Sequence, residues 1–204
     1  IYLLSIISFV ACTNAPTVYW KPYDETAELQ ANQTHENPRM QFQLIQSKLL
    51  DKNEIWAPFE TALNRFGNDT YQALKPLIIE QDIPTLQAHI QQGSLTYEQL
   101  VLFYLYRIRK FESNPNTTLN AILALNPKVI EQAKEKDCQL QKNQHPIYGM
   151  PILLKDNINT QNMPTTAGAA YLQHHVTEND AFVVSQIQAK GALILGKVNL
   201  SEWA

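Results

Sequence analysis

The alternation of apolar and polar positions divides the chain into four stretches. Ile1 to Val10 is apolar except for Ser5 and Ser8, and is too short to span a bilayer, which needs about 20 residues. Thr13 to Arg39 is polar and carries Pro16, Pro22 and Pro38 among several Asn and Gln, the composition of a tether. From Met40 to Phe66 apolar residues recur at Phe42, Ile45 and Leu49, then at Phe59, Leu63 and Phe66. That spacing predicts two short amphipathic helices, interrupted before Pro58, whose stripe packs on the rest of the protein.

The fourth stretch alternates helical and extended patterns. Thr85 to Gln92 and Thr96 to Phe111 read as helices; Thr96 is placed as an N-cap, and Leu100, Phe103, Tyr104 and Ile108 form one apolar face. Leu119 to Leu125 reads as a strand, and Pro127 opens a helix running to about Asp137. Pro151 to Leu154 lacks polar alternation and predicts a strand covered on both faces. Asp180 is placed as the cap of a helix from Ala181 to Lys190, ended by Gly191, and Ala192 to Leu195 is a second buried strand. Helices and strands in this order predict an α/β fold with a mixed, largely parallel central sheet and helices on both faces.

The chemistry lies where the apolar strands end. Lys155 closes the run Met150 to Leu154 and is followed by Asp156 and Asn157. A cation there costs free energy unless it has a partner or a task, and lysine loses its proton readily when desolvated, which suits a base. The plainer alternative is a lysine that reaches back to water or pairs with Asp156. Lys197 closes a similar run, Ala192 to Gly196, and pattern alone does not separate the two lysines.

The order of the pieces does more. Gly149 to Ile158 (GMPILLKDNI), the small-residue loop Thr165-Thr166-Ala167-Gly168, the helix opening at Asp180-Ala181, Gly191 to Lys197 (GALILGK) and Asn199 to Trp203 (NLSEW) together resemble the amidase signature family. Leu86 to Arg109 and Leu119 to Asp137 extend the likeness to residues 77–204. The resemblance implies a serine, cis-serine, lysine triad that hydrolyses amides through an acyl-enzyme, with Lys155 at the position of the base. It also implies that both serines and the oxyanion hole belong to a Gly-Ser-rich segment downstream. After Lys155 this sequence holds only Ser185 and Ser201, so the resemblance implies the N-terminal part of an amidase, inactive by itself. Lys197 then becomes a structural residue. Asp156 and Asn157 are candidates for holding Lys155, and Thr165, Thr166 and Gly168 for a loop beside it.

The other observations bear on context. Phe9-Val10-Ala11-Cys12 resembles a bacterial lipoprotein cleavage box after a signal core, making Cys12 the lipidation site and predicting an exported, lipid-anchored protein. Residues 1–12 are then targeting, 13–76 a tether with a helical extension, and 77–204 the first part of the amidase domain. A formal net charge of -3 gives no reason to expect nucleic acid as a partner. The expected partners are a small-molecule or peptide amide and, through the anchor alone, a membrane. No cofactor and no metal are expected, since the adjacent His174 and His175 diverge on any regular element and belong to a surface loop. Two other classes stay open: a non-catalytic exported binding lipoprotein with this fold, and the amidase component of a tRNA-dependent amidotransferase, whose cytosolic partner conflicts with export.

Overall fold

The computed structural model describes residue 18, residues 20–21, 24–41, 51–141 and 144–201. The readings placed on residues 1–12, including Cys12, on the stripe Phe42, Ile45 and Leu49, and on Trp203 lie outside the described residues. Helix α1 (Thr26–Asn32) buries no residue. Helix α2 (Lys52–Trp56) starts at Asp51, whose carboxylate accepts the Asn53 N–H at 2.8 Å, and a 3-10 turn over Ala57–Phe59 holds Pro58.

Helix α3 (Glu60–Ile78) runs well past Phe66, the last apolar position that the repeat picks out. It is kinked at Gly67 (φ 65°), after which the buried positions resume at Tyr71, Leu74 and Ile78. The kink resets the phase of the repeat, so a fixed helical period loses the stripe at Phe66. Helix α4 (Ile83–Gln91) begins two residues before the predicted start because Asp82 caps it, accepting the Thr85 N–H at 2.9 Å. Helix α5 (Tyr97–Glu112) carries the expected Thr96 cap as a full capping box: Thr96 accepts from the Gln99 N–H, and the Gln99 side chain accepts from the Thr96 N–H, both at 3.0 Å.

Strand β1 (Ile122–Leu125), helix α6 (Val129–Cys138), strand β2 (Pro151–Lys155), helix α7 (Phe182–Ala189) and strand β3 (Leu193–Val198) complete the fold. The sheet is mixed, ordered β1-β3-β2, with β2 parallel and β1 antiparallel to β3. Leu193 and Leu195 of β3 join the larger core, made with α3 to α6. Ile194 and Leu154 join a smaller core on the other face with Val184 of α7 and Met163. Helices thus cover both faces.

The structure corrects two sequence expectations. Among the described residues Pro151 to Leu154 is not covered on both faces: Leu154 is buried, but Leu153 on the other face is 38% exposed. The strand buried through its length is β3, from Leu193 to Lys197. Asp180 is not the cap of α7, whose N-cap is Ala181 without a side-chain bond. Its carboxylate instead accepts the backbone N–H and side-chain amide of Gln161, at 2.8 and 3.2 Å. Gly191 does end α7, at φ +88°, and a Cβ there would lie 2.3 Å from the Tyr148 ring, so glycine is required on both counts.

Candidate active site

The pairing of β2 with β3 contains the feature that separates the two lysines. Ile152 pairs with Ile194, but the next residue, Leu153, pairs with Gly196. Leu195 is therefore an extra residue in β3, a bulge. Side chains on a strand alternate between faces, and one inserted residue reverses that alternation. Lys197 consequently comes into register with Leu154, on the face of the smaller core. Lys155 pairs with Val198, which packs against the larger core, and so belongs to the opposite face with Leu153. Gly196 allows this crossing, because a Cβ there would lie 2.3 Å from the carbonyl oxygen of Ala124.

Lys197 is fully buried and held by three oxygens. Its Nζ donates to the Ile158 carbonyl at 2.7 Å and the Thr165 hydroxyl at 2.9 Å, and lies 3.8 Å from a carboxylate oxygen of Asp156. Burial pulls its pKa below the ordinary lysine value, against the opposing charges of Asp156 and Asp180. Asp156 is 1% exposed. It accepts the Thr166 N–H at 3.1 Å and the Thr166 hydroxyl, while its backbone N–H donates to Val198 and its carbonyl accepts from Ala167. Gly168 N–H donates in turn to the Thr166 hydroxyl oxygen.

Among the sequence candidates, Asp156, Thr165, Thr166 and Gly168 thus come together, but around Lys197. The pairing of Lys155 with Asp156 is not made: the carboxylate lies with Lys197 and Thr166. Asn157 is exposed in the turn beyond. The part of Lys197, which pattern reading left undecided, shows in its burial and in the bulge that aims it. Lys155 is half-buried, and among the described residues its Nζ makes no hydrogen bond or ion pair. It closes one of two parallel strands at their carboxyl ends, where open α/β sheets place their ligands.

On the same face lies a mostly apolar groove of about 480 Å³. Tyr104, Ile108 and Phe111 of α5 form one side, with Pro151 and Leu153 of β2 and Leu195 of β3 opposite. Among the described residues no three His, Cys, Asp or Glu side chains are placed to hold a metal ion. His174 and His175 are both exposed, and Cys138 is a free, exposed thiol.

Comparison with known proteins gives this arrangement a context. The family model described as Amidase matches residues 99–204, which include the strand of Lys155, the threonine loop and the strand of Lys197. The chain belongs to the amidase family. Amidase relatives include a glutamyl-tRNA(Gln) amidotransferase subunit of Exiguobacterium sibiricum, 33% identical over 127 residues, covering 62% of this chain and 26% of that protein. A crystal structure of an amidase family protein from Bacillus anthracis superposes with a TM-score of 0.70 at 33% identity, covering 78% of this chain and 32% of the other. The native peptide amidase of Stenotrophomonas maltophilia gives a TM-score of 0.58 at 39% identity, covering 62% and 26%. The chain spans about a quarter of the length of the curated amidase relatives it matches.

Proposed function

We propose that the full-length protein hydrolyses carbon-nitrogen amide bonds and that Lys155 is its general base. The observation that carries this reading is the contrast between two lysines at strand ends. Lys197 has its ammonium fixed by oxygens on every side that the turn offers. The amine of Lys155 sits partnerless among the described residues, half-buried at the end of β2. A base must be free to take a proton, and Lys155 is the one so placed.

In the reading that the family resemblance supplies, the Lys155 amine takes the proton of a bridging serine, which takes that of the attacking serine. The attack breaks the carbon-nitrogen bond, the leaving nitrogen takes that proton back from Lys155 through the bridging serine and departs as ammonia or an amine, and water then hydrolyses the ester of the acyl-enzyme. Both serines would come from residues outside this sequence. Asp156, Thr165 and Thr166 tie down the turn that follows the base. In the full-length protein, Lys155→Ala should lower turnover of a simple amide by about 10²–10⁴-fold, the range of a lost general base, with the circular dichroism spectrum unchanged. Activity that survives this substitution refutes the assignment.

Cys12 belongs to the same proposal as the lipidated N-terminus of an exported protein, supported by the apolar run Ile1 to Val10 and the polar segment after it. A second reading is favoured by relatives at 33–40% identity that are glutamyl-tRNA(Gln) amidotransferase subunits. Mass spectrometry of the mature protein separates the two. An acylated Cys12 supports export, whereas an unprocessed N-terminus together with transamidation of glutamyl-tRNA supports the second reading.

A further inference from the structure

Among the described residues nothing covers the apolar groove between α5 and β2. Phe111, Leu119 and Leu153 all line it, and they are 39%, 84% and 38% exposed. A contiguous apolar surface of this kind marks a site of interaction. The two ions in the lining are already engaged. Glu112 pairs with Lys52 at 3.1 Å, and Arg107 donates to the Tyr71 hydroxyl at 2.8 Å while lying 4.9 Å from the centre of the Phe111 ring. The groove therefore suits an apolar surface and not an ionic ligand.

The topology of the sheet points to which surface that is. β3 lies between β1 and β2, so a further parallel strand can join only at the outer edge of β1 or of β2. The link from β2 to its parallel neighbour β3 packs α7 on the smaller core. Such links are right-handed in about 98% of cases. A crossover that continues in the same direction, from β3 past β1, keeps its helix on the face of α7. One that turns back, from β3 past β2, is right-handed only with its helix on the opposite face. That is the face of the groove. There α5 and α6 pack with β1 and β3 in the larger core, to which, among the described residues, β2 contributes no side chain. The chain also leaves β3 at the margin of the groove: Asn199 donates from its N–H to the Ala121 carbonyl at 2.7 Å and from its side chain to the Asn120 carbonyl at 3.1 Å, and Ala121 lines the groove.

We propose that in the full-length protein the segment that begins with Glu202-Trp203-Ala204 and continues beyond it returns as a crossover helix, lays its apolar face in this groove, and delivers a strand to the outer edge of β2. Such a crossover takes about a dozen residues or more, and most of the length of the curated relatives lies outside the stretch that this chain matches. The groove is then filled by protein and is not a pocket for the substrate, which reaches Lys155 from the carboxyl ends of the strands. This packing does not depend on which residue is the base.

The test is a photo-crosslink from the groove of the full-length protein. With p-benzoylphenylalanine in place of Phe111, irradiation should give a monomeric product in which position 111 is joined to a peptide beyond residue 204, identified by mass spectrometry. Crosslinks confined to residues 1–204, residues 42–50 included, or a dimeric product would give the groove another occupant and overturn the proposal. A second variant, Leu153→Cys with Cys138→Ser, is read by maleimide labelling at position 153. Labelling should be slowed by about 100-fold relative to the urea-unfolded protein, as for a site that opens only by local unfolding, and saturating hexanamide should not change it. Rapid labelling of the native protein would show an open groove and overturn the proposal, and suppression of that labelling by hexanamide would make the groove a substrate pocket. Neither readout uses activity, so failure of Lys155→Ala to abolish turnover would remove the base assignment and leave this packing to be judged separately.

Discussion

Replacing Lys52 by methionine should expose how a buried ion pair joins α2 to the far end of α5. Lys52 and Glu112 are 3.1 Å apart with side chains only 6% and 9% exposed. Lys52 also donates to Asn120 at 2.8 Å, and Glu112 accepts the N–H groups of Leu119 and Ala121 at 3.2 and 3.3 Å. Methionine keeps most of the volume and removes the ammonium, so Glu112 is left as a buried carboxylate without its cation. Breaking one side of such a pair costs about 3–5 kcal/mol. Burial is the largest influence on Glu112 and pushes its pKa up, but Lys52 and the two N–H groups outweigh it, leaving the group below its ordinary value of 4.5. In the native protein Glu112 therefore contributes stability that is present above its unfolded pKa and lost as pH falls through the lower folded value. In the variant burial dominates and the sign reverses: the contribution is present below the unfolded pKa and lost as pH rises through the raised folded value. The stability gap between the two proteins should accordingly be largest near pH ~7 and narrow towards pH ~4. Urea unfolding of the full-length protein followed by tryptophan fluorescence, to which Trp56, 2% exposed in the same helix, contributes, measures it. A gap below about 1 kcal/mol near neutrality, or one that does not change with pH, would show that the pair is not the buried anchor described.

Two further outcomes follow from the sheet, beside the loss expected of Lys155→Ala. Gly196→Ala would place a methyl 2.3 Å from the Ala124 carbonyl, against backbone that cannot swing aside, and should destabilise the protein by about 1–3 kcal/mol in urea unfolding; an unchanged midpoint would mean that β1 yields without cost. Residues 13–204 expressed alone should aggregate and show no amide hydrolysis, because among the described residues β2 pairs on one edge only and Phe182 and Tyr171 are 80% and 96% exposed. A cooperative melt of a soluble monomer would contradict this.

What pattern could and could not reveal divides along physical lines. The Thr96 cap and the Gly191 stop are local events, decided within one turn of chain, and both stand in the structure. The burial of Ala192 to Leu195 was legible because the run is apolar and bounded. Asp180 departs from the cap that pattern predicts because its partner, Gln161, is 19 residues away, and an aspartate before a helix is a cap unless something distant claims it. The same holds for Asp156, which sequence pairs with its neighbour and folding pairs with Lys197. The difference between Lys155 and Lys197 turns on one inserted residue in a strand pair, and a bulge leaves no mark in hydropathy. Helix α3 outruns its apolar repeat for a related reason, the repeat being rephased at Gly67.

In the sheet, β1 and β2 each pair with β3 and not with one another. The last of these strands in sequence is thus the one that both earlier strands need. On a chain growing from its N-terminus, α3, α4, α5 and α6 can begin to assemble as soon as residue 138 is clear of the ribosome, yet no pairing of this sheet can form until residues 193–198 have emerged. At about 5–20 residues per second that leaves an interval of several seconds, during which the strand that carries Lys155 has its backbone unpaired and its apolar side chains uncovered. Synthesis slowed within this interval would lengthen the time that a chaperone has to hold β2, and a stall before residue 193 would leave a nascent helical body with this sheet unformed.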